Sequence, residues 1–273
     1  MTLLTSTVPS VDSPYGWPRA FHNVIRSEFV KFFTIRSTYG LLLATAVFTI
    51  GLAAALAVFI PGALGPEEAA AVDATRLSLG GLHLSQVVFG VMGVLIITSE
   101  YGTGTIRTTF AAVPQRMQVL AAKAIVFTTT VLVFGTASSF GAFLVFQAFL
   151  TDDRLATTLS DPGVLRAVFG GGLYVTILGL LGLGIGTVIR ASAGAIAALF
   201  GVLFVPPLLT GLLPATWQTT IRPYVPMEAG SQIFIAVNND PDSLDPWVGF
   251  GIFALYAAIA LIIAFVLIRR RDA

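Results

Sequence analysis

Residues 100–123 read EYGTGTIRTTFAAVPQRMQVLAAK, a polar, glycine-interrupted insert between two apolar runs, LHLSQVVFGVMGVLIIT at 82–98 and AIVFTTTVLVFGTASSFGAFLVFQAFL at 124–150. Those runs approach or exceed the roughly 20 apolar residues that cross a bilayer. The insert is therefore where the chain leaves lipid and turns back into it, and where it can meet something in water.

The same contrast holds for the whole chain. Of its 273 residues 56% are hydrophobic and 11% charged, well below the roughly 25% charge of soluble domains, which makes it a polytopic membrane protein. Apolar runs predict six helical spans near residues 39–60, 82–98, 124–150, 165–189, 191–213 and 247–268, an all-α fold with one transmembrane domain over 21–273. Residues 1–20 are polar and broken by proline and are expected to form a disordered tail. They lack the apolar core and small-residue cleavage site of a secretory signal peptide, so the first span is expected to stay in the mature protein. Cysteine is absent, which removes disulfides, thiolate metal sites and cysteine nucleophiles.

Basic residues set the expected orientation, because Lys and Arg are held on the cytoplasmic side while acids weigh little. With the N-terminus inside, eleven of the fifteen basic residues lie inside, and only Arg76, Arg154, Arg166 and Arg222 lie outside. Most acids, including Asp73, Glu228, Asp240 and Asp242, fall outside. Both termini are thus expected in the cytosol, and the protein in the cytoplasmic (inner) membrane. A five-span topology, merging the fourth and fifth spans around Arg190, would export Arg269, Arg270 and Arg271 and is rejected.

Before the first span, residues 21–36 read as an amphipathic elbow helix. Phe21, Ile25, Phe29, Phe32 and Phe33 fall on one face and Asn23, Arg26, Ser27, Lys31 and Thr34 on the other, a pattern suited to the headgroup layer and contact with membrane lipids. Between residues 213 and 247, short re-entrant or interfacial helices are expected, with 221–224 and 231–237 dipping into the interface. Gly182 and Gly186, four apart in a glycine-rich fourth span, fit close helix approach, either within one bundle or between subunits. Pro206 and Pro207 should kink or unwind the fifth span.

Absent chemistry narrows the function. No Asp, Glu, Lys or Arg falls well inside a predicted span, which leaves an ion-coupled secondary transporter little to work with. His83, Gln86 and Gln147 read as helix–helix hydrogen-bonding groups rather than a relay. Intramembrane hydrolysis needs a nucleophile with its base or paired aspartates at membrane depth, and neither is found, so no catalytic residue is assigned. No HExxH or clustered His and acid pattern offers a metal site. The run from Gly102 to Arg107 lacks the Lys and Ser or Thr of a phosphate loop, so ATP has no readable site.

Three segments, in order, carry a family resemblance: Ser99-Glu100-Tyr101-Gly102-Thr103-Gly104-Thr105-Ile106-Arg107 with Pro114, Arg116 and Lys123; residues 186–196, GTVIRASAGAI; and Val225-Pro226-Met227-Glu228-Ala229-Gly230 with Asp245-Pro246-Trp247 and the final Arg270-Arg271-Asp272. Together they resemble the type-two permeases of ATP-binding cassette (ABC) exporters, over the chain from about Phe21 onward. The resemblance implies a permease that is not itself an enzyme, a second permease copy, and a separate nucleotide-binding ATPase subunit that binds ATP and Mg. It implies no nucleic acid partner. By the same resemblance Glu100, Tyr101, Gly102, Thr103, Gly104, Thr105, Ile106 and Arg107 form the coupling contact with the ATPase, while Pro114, Arg116, Lys123 and Arg190 anchor the loops. Export of an amphiphilic cargo, such as a drug, antibiotic or lipid-like molecule, is the expected activity. A non-transporting membrane anchor or regulator of an ATPase is the alternative from another class.

Overall fold

The computed structural model describes residues 17–34, 36–65, 72–237 and 240–271. Residues 1–16 of the expected tail lie outside these, and residues 17–20 form the first turn of helix α1 (Trp17–Thr34). No strand occurs among the described residues. Six helices are long and apolar enough to cross a membrane, so the chain has the architecture of a multi-pass membrane protein.

Those six are α2 (Arg36–Phe59), α4 (Leu82–Thr103), α6 (Arg116–Phe149), α7 (Val164–Ile189), α8 (Ser192–Thr210) and α11 (Pro246–Arg270). Shorter helices join them: α3 (Ala74–Ser78), α5 (Thr105–Ala112), α9 (Ala215–Ile221) and α10 (Pro226–Ser231). The polar insert is thus largely helical, shared between the end of α4, all of α5 and the start of α6. At 34 residues, α6 is about 51 Å long, against a hydrocarbon core of about 30 Å. It begins eight residues before the expected span and carries Lys123 within the helix.

Helix α7 is the hub, flanked by α4, α6, α8 and α11, and it is the most buried of the six. Its glycines make this possible. A Cβ on Gly93 of α4 would lie 1.9 Å from the Gly179 carbonyl oxygen, and one on Gly182 would lie 2.4 Å from the Gly90 carbonyl oxygen. These backbones touch, and small residues are what allow such packing where lipid removes any hydrophobic drive between helices. The glycines left open between intrachain and intersubunit roles are therefore occupied inside the bundle. Buried polar pairs add interhelical hydrogen bonds: Thr49 with Ser85, Tyr174 with Gln86, and Ser192 with Thr98. Gln147 instead accepts from the backbone N–H of Thr157 in the following loop, and His83 packs edge-on against Phe234.

Three local expectations shift. The buried stripe of α1 is Val24, Glu28 and Phe32, spaced by four, while Phe29 is 49% exposed. The stripe faces α6, where Phe32 meets Phe127 edge-to-face, and this contact turns the helix away from the face that its phenylalanines alone define. Helix α8 stays helical through Pro206 and Pro207 and ends at Thr210, so the prolines do not unwind it. Of the two segments expected at the interface, Ile221 and Tyr224 are exposed, whereas Ile233, Phe234 and Ile235 are buried against the bundle.

Candidate functional site

Sequence chemistry shapes the α4–α5 turn. Gly104 has φ +74°, the left-handed region that side chains with a Cβ rarely adopt, and it both ends α4 and starts α5. Its N–H donates to the Tyr101 carbonyl at 3.3 Å. On either side the Thr103 and Thr105 hydroxyls meet at 2.9 Å, and Thr103 also donates to the Ser99 carbonyl at 2.9 Å. Two residues past the end of α5 comes Pro114, which restricts its predecessor to non-helical backbone.

The eight residues of α5 then separate into two faces. Ile106 and Phe110 turn inward and pack with Ile97, Val119, Leu120, Leu183 and Ile268, so α5 is seated on α4, α6, α7 and α11 at once. Gly102, Thr103, Gly104, Thr105, Arg107 and Thr108 are exposed, with Pro114 beyond them. Arg107 is the single charge on this outward ridge.

Glu100 turns the other way. Its side chain is 14% exposed, and Oε1 accepts from Lys123 Nζ at 2.6 Å and from Lys31 Nζ at 3.3 Å. The same two ammonium groups bind Glu28, Lys123 to Oε2 at 2.7 Å and Lys31 to Oε1 at 2.7 Å. Lys31 also reaches the Thr109 hydroxyl at 3.3 Å, which in turn lies 3.4 Å from Glu100 Oε2. Two carboxylates and two ammoniums thus join α1, the end of α4, α5 and α6. Lys123 is 1% exposed and Glu28 4%, so neither is a solvated anchor; each burial is offset by charge-assisted hydrogen bonds. At Lys31 burial alone would lower the pKa, but hydrogen bonds and charge from Glu28 and Glu100 outweigh it and hold the ammonium above the ordinary lysine value.

A second set of contacts closes the opposite flank of α5. Arg116 donates to the Arg271 carbonyl at 2.7 Å and lies over the Phe110 ring, 5.3 Å from its centroid. Arg271 reaches the Val188 carbonyl at 3.3 Å. Arg190, at φ +64°, ends α7, and its guanidinium lies 5.1 Å from the centroid of the Tyr101 ring. The predicted residues therefore form one continuous region but divide by direction. Glu100, Tyr101, Ile106, Arg116, Lys123 and Arg190 hold the bundle end together, while Gly102 to Thr105 and Arg107 face away from it.

Sequence reasoning did not place Glu28 or Lys31 in this site. The available signal was spacing: Glu28 lies four residues from both Val24 and Phe32, so an acid sits on the stripe that packs inward, and Lys31 follows at i+3. Among the described residues, no three His, Cys, Asp or Glu side chains are placed to hold a metal ion.

The bundle end remote from α5 is built otherwise. Arg166 donates to the carbonyls of Gln232 at 3.4 Å, Ile233 at 3.0 Å and Ile235 at 2.9 Å. Asp73 caps α3 through the Arg76 N–H at 3.0 Å and accepts from the N–H groups of Ala236 at 2.9 Å and Val237 at 3.0 Å. No family model and no curated protein matches this chain.

Proposed function

We propose that the chain is the membrane permease subunit of an ATP-driven exporter of the ABC class, and that the outward ridge of α5 docks a separate ATPase subunit. The observation that carries this reading is the two-faced seating of α5. Its apolar side is fixed into four membrane-crossing helices, and its polar side, with Arg107 as the lone charge, is left open. A rigid helix held this way transmits a push from a docked subunit to α4, α6, α7 and α11 together. The basic-residue asymmetry of the loops supports a cytosolic position for this end, where ATP is available. On this reading the inner membrane is the location, a second permease copy completes the transport path, and the cargo is amphiphilic.

The test is reconstitution with the ATPase subunit and measurement of association and cargo movement in vesicles. Arg107→Glu should cut association at least tenfold while leaving thermal stability within about 0.5 kcal/mol, as for an exposed side chain. Unchanged association with both Arg107→Glu and a deletion of residues 102–107 would remove the docking role. Movement of cargo driven by a proton or sodium gradient in ATP-depleted vesicles would instead support a secondary transporter.

A further inference from the structure

Helices α7 and α8 are joined by only Arg190 and Ala191. The reversal passes through the left-handed region, which glycine adopts without steric cost. Gly104 does so at the α4–α5 turn, but here the left-handed residue is Arg190, at φ +64°. Among the described residues it is the only one other than glycine with a positive φ. Its N–H donates to the Gly186 carbonyl at 2.8 Å, and Ala191 follows in extended backbone. The guanidinium lies 5.1 Å from the centroid of the Tyr101 ring, within reach of a cation–π attraction. That ring packs against the apolar cluster that seats α5. Its hydroxyl, however, is buried without a hydrogen-bond partner. Folded proteins rarely strand such a group, because the missing bond is costly. Two costly features thus meet in one contact: a left-handed arginine on one side and a stranded hydroxyl on the other.

We propose that the Arg190–Tyr101 contact is a strained latch between two arrangements of this bundle end. In the closed one, the attraction between guanidinium and ring holds Arg190 in the left-handed region. In the open one, Arg190 returns to an ordinary backbone region, its bond to Gly186 breaks, and the Tyr101 hydroxyl reaches water. Backbone strain of this kind persists only where its surroundings enforce it, and it clusters at switch regions. The moving side is the α7–α8 turn. Glu100, next to Tyr101, is held by Lys123 at 2.6 Å, and Ile106 seats α5 in the apolar cluster. Helix α8, by contrast, shares with α11 the smallest buried portion of the six spans. A neutral hydroxyl contact, Ser192 to Thr98 at 2.9 Å, ties its start to α4. Opening therefore lets the start of α8 swing while α4 and α5 stay in place. The latch is a property of this chain by itself and does not rest on ATPase docking.

Hydrogen exchange on the full chain in nanodiscs reads the opening, because opening frees the Arg190 N–H. Tyr101→Phe keeps the ring beneath the guanidinium and removes the stranded hydroxyl, so protection over residues 187–194 should rise at least threefold. Arg190→Ala keeps the left-handed cost and loses the attraction, so protection there should fall at least threefold. Arg190→Lys restores a cation and should recover part of that loss. Over 232–237, at the other end of the bundle, exchange should stay level in all three variants. If Arg190→Ala fails to fold, Tyr101→Phe carries the test alone. Protection over 187–194 that Tyr101→Phe leaves unchanged, or that changes equally over 187–194 and 232–237, would overturn the proposal.

Discussion

The two ends of the bundle are secured by opposite uses of charge. At the α5 end, besides the Arg116 and Arg271 contacts to backbone, a buried network joins side chain to side chain: Glu28 and Glu100 share Lys123 and Lys31, and the contact exists only while α1, α4 and α6 are together. At the remote end, single charged side chains grip backbone. Arg166 takes three carbonyls and Asp73 takes the N–H groups of Ala236 and Val237, so the chain path over 232–237 is held by its backbone as well as by its buried side chains. A side-chain network makes the relative position of helices depend on a few ionisable groups. A backbone grip fixes local shape. The first ties separate helices to one another, and the second holds the path of a single segment.

The largest expected effect falls on the network. Lys123→Met leaves two carboxylates facing one another around an apolar group, and breaking a buried ion pair from one side costs about 3–5 kcal/mol. Thermal unfolding in detergent should show the loss, and adding Glu28→Leu should recover part of it, since an apolar replacement of both partners avoids a stranded charge. Stability unchanged in Lys123→Met would erase the contrast between the ends. Next comes Arg166→Gln, which removes charged donors from three backbone carbonyls at about 2–3 kcal/mol. Hydrogen exchange should rise over 232–237 and stay level in α5; a rise in both would show that the ends are not separately held.

Asp73→Ala is smaller. It removes the α3 cap and two backbone bonds, for about 1–2 kcal/mol, with faster exchange at Ala236 and Val237 as its signature. The mildest perturbation is alkaline pH. The folded pKa of Lys31 lies above its ordinary value of 10.5, so its contribution is complete below that pH and is lost as pH rises through the higher folded value. The chain has no cysteine, so a nitroxide on Phe29→Cys reports the motion of α1 alone. Its mobility should be flat to about pH 10 and increase above 10.5, and Lys31→Met should remove the step. A step that persists in Lys31→Met would assign it to another group.

Much of the architecture was legible in the linear pattern. The six apolar runs became six long helices, whereas the separate helix α5 between Gly104 and Pro114 came only from the structure. The interior of the site was less legible. Residues 100–107 looked uniform as a polar loop, yet Glu100 points into the bundle and Arg107 away from it, because the αL turn at Gly104 redirects the chain between them. Lys123 looked like a headgroup anchor at the rim of a span, and α6 instead extends past it and buries it against α1. The phenylalanines of α1 pointed to a lipid-facing stripe that the packing against α6 rotated.

What the sequence determined alone was the count and approximate placement of the membrane helices, since hydrophobic runs respond to the bilayer residue by residue without needing partners. Only the tertiary structure decided which charges meet. Glu28 and Lys123 are 95 residues apart, and a long-range ion pair leaves no periodic trace in the chain; it is set by the rotation of α1 on α6 and by the close approach of α4 to α7 that glycine backbones permit.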